Sequence, residues 1–263
     1  MLMKERIRDL LPRQLKQHTI HGGPLTGCAI YTSWHDYPGA ILGTTEKALL
    51  QWFRRNVRSG ETWLDVGAHY GYTAIALSRQ VGASGRVFAF EPVLQTASCV
   101  IRTRELNGLR QLTVIPMGLA DHPGIRTLEL PTVRGMADST IEARGSGECI
   151  LTASLDSFWP SLCGDYPEIH GIKIDVQAME LDVLLGMKEL LRRWAPKLII
   201  EFHRGVNRDP LLHLLAACGY STDWESLDPA RPERVLADDI SYAFRPLSNV
   251  CASLSTPSST GQN

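Results

Sequence analysis

The residues best suited to hold a ligand lie where a predicted strand runs into a glycine turn and then a helix. Asp65 is near the end of the strand, and Gly67 and Gly71 bracket the turn. Glycine lets a backbone approach a ligand closely, and the first amides of a helix are free to donate hydrogen bonds. The segment therefore predicts a cradle for a nucleotide-like ligand.

The spacing of the glycines separates two kinds of ligand. A nicotinamide enzyme is expected to carry Gly-x-Gly-x-x-Gly, in which the second glycine admits the pyrophosphate. Here Ala68, His69 and Tyr70 fill the gap between the two glycines. Asp65 would also repel a diphosphate, whereas it suits the ammonium group of an amino-acid ligand. The pattern favours a zwitterionic ligand, and a nicotinamide-dependent oxidoreductase stays open as the weaker alternative.

A second acid follows the next predicted strand, which ends in Phe90-Glu91-Pro92. Glu91 follows Gly67 at close to the ~20-residue interval expected for an acid that binds ribose hydroxyls. A ribose with an amino-acid end and no diphosphate describes S-adenosylmethionine. Pro92 and the segment Gly118-Leu119-Ala120-Asp121, after the third strand, are predicted to complete the cofactor site, with Asp121 near the adenine. His69 and Tyr70 are predicted to contact the methionine end or the acceptor, and packing on the turn is their alternative role.

Titratable side chains also follow the fourth and fifth predicted strands. Asp175 ends the fourth strand, and Glu201 and His203 end the fifth. Ligands bind outside the carboxyl ends of strands in open α/β sheets, so we expect these three residues to be neighbours. Asp175 or His203 is the predicted base for an acceptor hydroxyl, because a histidine pKa of about 6.5 suits proton transfer. Glu201 would then orient His203.

Two other roles stay open for this cluster. Asp175 could cap the helix that follows it. The three side chains could also hold a divalent metal that acidifies a hydroxyl. The metal is the less favoured reading, because the set shows no helical Glu-x-x-His or His-x-x-x-His spacing.

These residues need a scaffold in which short strands alternate with helices. Beyond Gly60, apolar runs alternate with amphipathic stretches, as in βαβ units with a parallel sheet. The predicted strands are Thr62–Val66, Arg86–Phe90, Leu112–Met117, Ile172–Val176, Lys197–Phe202, Ser221–Leu227 and Ile240–Phe244.

The predicted helices follow from apolar spacing and end signals. One helix is expected near Thr44–Val57, and a single apolar stripe predicts another from Leu181 to Trp194. Asn107-Gly108 should close the helix after the second strand. Asp209-Pro210 should open a further helix that Gly219 ends.

The composition excludes several classes of protein. With 263 residues, 44% hydrophobic and 21% charged, the chain is globular rather than disordered, collagen-like or stapled by disulfides. A formal net charge of −1 disfavours a nucleic-acid partner. Six scattered cysteines without a Cys-x-x-Cys pair predict reduced, mostly buried thiols. The N-terminus lacks a signal peptide and no stretch approaches ~20 apolar residues, so we expect a cytoplasmic protein without a transmembrane segment.

Three regions are predicted along the chain. Residues 1–43 form an N-terminal extension and candidate substrate lid, residues 44–247 form the main domain with an insertion near 131–150, and residues 248–263 form a disordered tail. The segments Tyr31–Gly43, Pro131–Ile150 and the surroundings of Arg204 are expected to recognise a small-molecule or glycan acceptor. A homo-oligomer is compatible with the sequence.

Taken together, the motifs resemble those of the FkbM-type family of class I S-adenosylmethionine-dependent methyltransferases. The resemblance spans about residues 44–204 and is carried by Asp65-Val66-Gly67-Ala68 with Gly71, Gly85-Arg86-Val87-Phe88-Ala89-Phe90-Glu91-Pro92, Leu106-Asn107, Ser154-Leu155-Asp156, Ile172-Lys173-Ile174-Asp175-Val176 with Glu180, and Pro196 with Ile199-Ile200-Glu201. It implies a Rossmann-like α/β fold with a mostly parallel seven-stranded sheet and helices on both faces. It also implies methylation of an oxygen on a sugar, glycan or natural product.

The sequence departs from the family pattern at two places. His69 stands where asparagine is usual, and Gln177-Ala178 stands where a Glu-Gly pair is usual. One carboxylate near the expected active site is therefore missing. This departure keeps open a third alternative, a non-catalytic protein that binds S-adenosylmethionine.

Overall fold

The computed structural model describes residues 8, 10–128, 147–164, 167–203, 205–228, 236–237 and 239–247. The chain enters the fold through an antiparallel hairpin of β1 (Lys16–Thr19) and β2 (Ala29–Thr32), with a short 3-10 helix, Gly23–Leu25, between its strands. Asn107 holds the hairpin to the main domain, since its side-chain oxygen accepts the Ala29 amide at 2.9 Å.

The remaining elements alternate as the sequence predicts. The helices are α1 (Pro38–Leu42), α2 (Lys47–Asn56), α3 (Tyr72–Val81), α4 (Leu94–Leu106), α5 (Leu155–Leu162), α6 (Glu180–Leu185), α7 (Lys188–Trp194) and α8 (Arg208–Ala217). The strands are β3 (Thr62–Val66), β4 (Arg86–Phe90), β5 (Leu112–Ile115), β6 (Gly118–Leu119), β7 (Gly124–Leu128), β8 (Glu148–Ala153), β9 (Gly171–Ile174), β10 (Lys197–Phe202), β11 (Tyr220–Ser226) and β12 (Ile240–Pro246).

Seven of these strands form the central sheet, in the order β11-β12-β10-β9-β3-β4-β5. Neighbouring strands are parallel except at β12, which is antiparallel to both β10 and β11. The strands β6, β8 and β7 form a separate small sheet. The predicted mostly parallel seven-stranded sheet is confirmed.

The core lies on both faces of this sheet because its central strands are apolar on both sides. Successive side chains alternate between the two faces of a strand. In β3, Trp63 packs in the cluster that contains α2 and α3, whereas Leu64 packs in the cluster that contains α5 to α8. The predicted helices on both faces are therefore confirmed.

The strand order creates the crevice where a site is expected. From β3 the chain continues outward to β4 and β5, and it later returns to place β9 and β10 on the other side of β3. Ligands of open α/β sheets bind at the carboxyl ends of the strands that flank such a reversal. Gly67 follows β3 and Asp175 follows β9, so both lie at this point.

The prediction of one helix from Leu181 to Trp194 is wrong, because the chain breaks between α6 and α7. Two side-chain oxygens of Asp156 in α5 accept the amides of Glu189 and Leu190, at 3.0 and 2.9 Å, and so begin a new helix. At the break, the Gly186 oxygen accepts the Asp156 amide at 3.0 Å. Both helices bury their apolar side chains on the same face of the sheet, which is why the stripe continues across the break.

Several predicted boundaries move by a few residues. Helix α8 begins at Arg208 rather than at Asp209-Pro210, because the side chain of Asn207 accepts the Asp209 amide and caps the helix. Strand β5 ends at Ile115 instead of Met117, since Pro116 has no amide hydrogen for the ladder. Strand β9 is Gly171–Ile174, so Asp175 follows the strand instead of ending it.

Two helix ends are confirmed and one helix start is not. Gly108 and Gly219 both have a positive φ after α4 and α8, as the sequence predicts. Helix α2 begins at Lys47, three residues later than Thr44 would place it, after Glu46 in the left-handed conformation.

The cysteines within the described residues are free thiols. Cys28, Cys99, Cys163 and Cys218 are buried and Cys149 is exposed, while Cys251 lies outside the described residues. Within the described ranges, no helix is long and apolar enough to cross a membrane. The predicted tail, Arg204 and most of the predicted insertion also lie outside the described residues.

Candidate active site at the carboxyl ends of the sheet

A cavity of about 540 Å³ opens at the carboxyl ends of β3, β4, β9 and β10. The N-terminal region, predicted as a candidate lid, contributes Asp36, Tyr37, Pro38 and Gly39 to its wall. Ten of the predicted site residues also line it: Gly67, Ala68, His69, Glu91, Pro92, Gly118, Leu119, Asp175, Glu201 and His203. The predicted cofactor and catalytic residues therefore share one space.

The glycine turn after β3 is shaped by a close approach between two parts of the backbone. Gly67 has a φ of 81°, and a Cβ added there would lie 1.8 Å from the carbonyl oxygen of Asp175. The amides of Gly67 and Ala68 both donate to the Phe90 oxygen at 3.0 Å. The turn is thus held in place by β4 and by the loop after β9, and the amides of Gly67 and Ala68 are already satisfied.

Asp65 lies behind the turn and does not line the cavity. Its side chain is fully buried; it accepts the Thr73 hydroxyl at 2.6 Å and lies 3.5 Å from Lys173 Nζ. Burial raises the pKa of Asp65, although Lys173 opposes that effect. Asp65 therefore ties the turn to α3 and β9 instead of facing the cavity, where the sequence placed it.

Glu91 lies at the end of β4 with its carboxylate against the turn. Its Oε2 accepts the His69 amide at 2.9 Å, and its Oε1 accepts the Val93 amide at 3.1 Å. Burial raises the pKa of Glu91 to about 7, against the effect of these two hydrogen bonds. Each carboxylate oxygen can accept more than one hydrogen bond, so both retain capacity for ligand hydroxyls.

Three other predicted cofactor residues do not line the cavity. The hydroxyl of Tyr70 donates to Asp36 Oδ2 at 3.1 Å, and Gly71 is the residue before α3. Asp121 forms an ion pair with Arg126 at 3.0 Å on the surface. Tyr70 thus contacts Asp36, a residue of the cavity wall that the sequence analysis did not single out, since it belongs to the N-terminal extension.

The three residues predicted as catalytic are neighbours. One ligand atom from each of Asp175, Glu201 and His203 lies within 4.8 Å of the others. His203 Nε2 is 3.4 Å from Asp175 Oδ1 and 3.8 Å from Glu201 Oε1. The carboxyl ends of two adjacent parallel strands thus bring together a base and two acids, as expected.

His203 is oriented by a buried acid to which the sequence reasoning assigned no role. Glu180 is fully buried at the start of α6, and its Oε1 lies 2.8 Å from His203 Nδ1. The side-chain amide of Gln177 donates to His203 Nε2 at 2.8 Å. Both contacts favour one neutral tautomer, in which Nδ1 carries the proton and Nε2 accepts. In that tautomer the Nε2 lone pair lies beside Asp175 in the cavity wall.

The loop that carries Gln177 is strained. Gln177 and Ala178 have φ values of 54° and 74°, in the region that favours glycine. A glycine at position 178 would adopt this conformation without strain, whereas this chain has Ala178 there, and the neighbouring Gln177 keeps a hydrogen-bonding side chain on His203.

Lys173 is a further site residue that the sequence reasoning did not single out. It is almost fully buried in β9, and its Nζ contacts the Gly67 oxygen at 3.2 Å and Asp175 Oδ2 at 3.1 Å. Burial acts to lower the pKa of Lys173, but the negative charges of Asp175 and Asp65 have the larger effect. The pKa of Lys173 is therefore raised above its ordinary value, and the amine stays charged. Burial likewise opposes ionisation of Asp175, yet Lys173 and His203 lower its pKa overall. A lysine inside an apolar strand was the available signal.

Two other acids of the cavity, Glu201 and Glu46, have raised pKa values, in contrast to Asp175. Burial, with the nearby charges of Asp175 and Glu46, raises the pKa of Glu201 to about 8. Glu46, a half-buried residue before α2, also has a raised pKa through burial and Asp175. The Ser241 hydroxyl donates to Glu201 Oε2 at 3.0 Å. Glu46 and Glu201 therefore stay protonated to a higher pH than ordinary carboxyl groups.

The fold and the crevice define a domain of the class I methyltransferase type. Residues 65–222 match the model of the methyltransferase FkbM domain family. This match covers more than half of the chain, so the chain belongs to that family, which confirms the predicted resemblance.

The chain is also similar to proteins of known name or structure. The chain is similar to the hexuronic acid methyltransferase AglP of Haloferax volcanii, with 31% identity over 166 residues that cover 62% of this chain. It spans about 65% of the length of that relative.

Solved structures with a similar fold include the fibrillarin of Aeropyrum pernix with bound S-adenosyl-L-methionine. The match covers 89% of this chain and 88% of the fibrillarin chain, with a TM-score of 0.50 and 14% identity. A methyltransferase FkbM from Methylobacillus flagellatus matches 79% of this chain and 52% of its own, with a TM-score of 0.48 and 19% identity. The fibrillarin match confirms the Rossmann-like fold.

Proposed function

We propose that this chain is an S-adenosylmethionine-dependent O-methyltransferase that acts on a hydroxyl of a sugar, in a glycan or a natural product. The observation that carries the proposal is that Glu91 and His203 line the same cavity of about 540 Å³. An acid suited to ribose hydroxyls and a histidine suited to proton removal therefore share one space. The family membership and the named activity of the Haloferax volcanii relative support the reaction type.

The residues of the cavity fit S-adenosylmethionine. Glu91 would hold the ribose hydroxyls, and Met117, Gly118 and Leu119 would provide an apolar surface for the adenine. When bound, the cofactor supplies a methyl group on a positively charged sulfur.

In this proposal His203 is the base that removes the proton of the acceptor hydroxyl. Its Nε2 would accept the proton that the acceptor hydroxyl releases when its oxygen takes up the methyl group. Glu180 keeps the proton of Nδ1 hydrogen-bonded and stabilises the resulting imidazolium. Asp175, held by Lys173, lies 3.4 Å from Nε2 and is placed to orient the hydroxyl. The acceptor hydroxyl takes the place of the Gln177 amide at Nε2.

Transfer of a labelled methyl group tests this proposal. The protein is incubated with S-adenosylmethionine carrying a ¹³C-methyl group and with simple glycosides, and NMR identifies the atom that receives the label. We expect label on a sugar oxygen. Cofactor binding without transfer to any oxygen would contradict the enzymatic proposal and support the non-catalytic alternative.

The affinity for S-adenosylhomocysteine should depend on the protonation of Glu91. Its ionised form accepts the ribose hydroxyls and its neutral form loses that capacity, so binding should weaken as the pH falls through about 7. Linkage predicts an affinity about tenfold lower at pH 6 than at pH 8. Isothermal titration calorimetry at pH 6, 7 and 8 measures this. In the Glu91→Gln variant the same pH change should have little effect, and a flat profile for the unmodified protein would argue against Glu91 as the ribose ligand.

Activity should survive chelation. Several polar atoms of the cluster already have partners: Lys173 Nζ lies 3.1 Å from Asp175 Oδ2, and Gln177 and Glu180 contact the two nitrogens of His203. After dialysis against EDTA we expect turnover to change by less than about twofold, with no gain from added Mg²⁺ or Mn²⁺. Loss of turnover that either ion restores would replace the histidine base by a metal centre at Asp175, Glu201 and His203.

A further inference from the structure

The acid that the sequence predicts for the ammonium group of the cofactor cannot reach it. Asp65 is fully buried behind the glycine turn and does not line the cavity. A different carboxylate lines the cavity from the N-terminal region, that of Asp36. A partner for the ammonium group is therefore to be sought in this part of the wall.

The order of the strands sets the direction in which the cofactor would lie. Strands β3, β4 and β5 are consecutive neighbours in the central sheet. In the proposed function, the adenine lies beside Gly118, beyond β5, and the ribose lies at Glu91, after β4. The amino-acid end of the ligand would then lie over the next strand, β3, where Gly67 begins the glycine turn.

The N-terminal region contacts this turn directly. The ring of Tyr37 packs against the ring of His69, with 5.0 Å between their centroids. The hydroxyl of Tyr70 donates to Asp36 Oδ2 at 3.1 Å. Two residues of the turn thus hold two consecutive residues of the N-terminal wall. Asp36 therefore lies at the end of the cavity where the amino-acid end is expected.

The Asp36 carboxylate is held in place by several polar contacts. Its Oδ2 also accepts the Ser33 hydroxyl at 2.6 Å, and its Oδ1 lies 2.9 Å from His35 Nδ1. Burial acts to raise the pKa of Asp36, but its hydrogen bonds with His35, Ser33 and Tyr70 lower this pKa overall. The side chain remains 18% exposed, and a carboxylate oxygen can accept more than one hydrogen bond. The ionised group can therefore accept a further donor from the cavity.

A positive charge lies beside Asp36 in the same wall. Arg8 lines the cavity, and its Nε donates to the carbonyl oxygen of His35 at 2.7 Å. Its Nη2 donates to the carbonyl oxygen of Asp36. These two contacts attach the guanidinium to the backbone that carries the Asp36 carboxylate. A guanidinium offers five N–H donors in a planar array that suits a carboxylate.

We propose that Asp36 and Arg8 bind the two charged groups at the amino-acid end of S-adenosylmethionine, Asp36 the ammonium group and Arg8 the carboxylate. An acid and a base side by side complement a zwitterion, because each attracts one of its two charges. The inference rests on the proposed function and adds to it a cofactor subsite built by the N-terminal region. It assigns part of the segment Tyr31–Gly43 to the cofactor, whereas the sequence predicts acceptor recognition there.

Four matched ligands test the two contacts by isothermal titration calorimetry. S-adenosylhomocysteine carries both charged groups, and 5′-methylthioadenosine carries neither. The decarboxylated analogue of S-adenosylhomocysteine keeps only the amine, and the deaminated analogue keeps only the carboxylate. Each ligand is titrated into the unmodified protein and into the Asp36→Asn and Arg8→Gln variants. Asparagine has nearly the shape of aspartate, so the contacts with Ser33 and Tyr70 can persist.

Each variant should lose affinity only for ligands that carry the matching charge. We expect Asp36→Asn to weaken S-adenosylhomocysteine and the decarboxylated analogue by about tenfold or more, as for a lost charge-assisted hydrogen bond. The deaminated analogue and 5′-methylthioadenosine should not be weakened. Arg8→Gln should show the complementary pattern, with weaker binding of S-adenosylhomocysteine and the deaminated analogue only.

Two results would overturn the inference. One is an affinity for S-adenosylhomocysteine that is unchanged in either variant. The other is equal weakening of S-adenosylhomocysteine and 5′-methylthioadenosine, because that pattern reports a structural role. Arg102→Gln and Glu105→Gln are the matched controls, since these residues pair at 3.2 Å on α4 outside the cavity, and all four affinities should be unchanged in them.

The same titrations separate this inference from the proposed function. Absence of S-adenosylhomocysteine binding to the unmodified protein would contradict the proposed function itself. Binding that is equally tight in the unmodified protein and in both variants would leave the proposed function standing and overturn only the assignment of Asp36 and Arg8.

Discussion

Replacement of His203 by glutamine should lower kcat by about 10²–10⁴-fold, the usual contribution of a positioned general base. Glutamine occupies a similar volume and can hydrogen-bond to Glu180, but it cannot accept a proton at the position of Nε2. Affinity for S-adenosylhomocysteine should stay within about twofold, because the predicted ribose acid Glu91 follows β4, whereas His203 follows β10. Steady-state kinetics and calorimetry measure both quantities.

His213→Gln serves as the control for this variant. His213 is exposed on α8 and does not line the cavity, so kcat should be unchanged. If His203→Gln kept more than about a tenth of the original kcat, proton transfer to His203 would not limit the reaction, and Asp175 would become the remaining candidate base.

The pH profile should report the same histidine. Burial acts to lower the pKa of His203, but its hydrogen bond to Glu180 and the charge of Asp175 raise it above its ordinary value. The base must be neutral to act, so kcat should rise with pH through a pKa above 6.5. Glu180→Gln removes the strongest of the groups that raise this pKa, and the rise should move to lower pH. An unchanged profile in that variant would reduce Glu180 to a structural role.

The residues that meet at the strand ends could be predicted from the sequence, because a parallel sheet brings the carboxyl ends of its strands to one edge. Asp175 and His203 lie far apart in sequence, yet adjacent parallel strands bring their carboxyl ends to one edge, and the structure places the two side chains 3.4 Å apart. The place of Glu91 in the same cavity follows from the same rule, since β4 neighbours β3. Short apolar strands and their order are local signals that a sequence displays.

Three features of the structure could not be predicted from the sequence, because they depend on contacts between distant segments. Asp65 has the position of a ligand-binding acid, but Thr73 and Lys173 draw it behind the turn. The break between α6 and α7 is set by Asp156, an acid on another helix that no periodicity within the stripe reveals. Asp36 belongs to the N-terminal extension, whose polar residues become part of the site only when it packs over the cavity.

Substitution of Gly67 by alanine should have the largest effect on folding of any change considered. The backbone at Gly67 has a φ of 81°, which costs a residue with a Cβ roughly 1–2 kcal/mol. The added Cβ would also lie 1.8 Å from the Asp175 carbonyl oxygen, so the loop after β9 must move. Overpacking of this kind adds about 1–3 kcal/mol, so urea unfolding should show a total loss of about 2–5 kcal/mol.

Gly108→Ala separates the two causes. Gly108 has a similar φ of 62°, but an added Cβ would meet nothing within 4 Å. Its loss of stability should therefore report the backbone term alone, about 1–2 kcal/mol. The excess loss in Gly67→Ala then measures the contact between the turn and Asp175. Equal losses in the two variants would mean that the loop after β9 yields freely, and a loop that yields could not hold Asp175 and Lys173 in the geometry required beside His203.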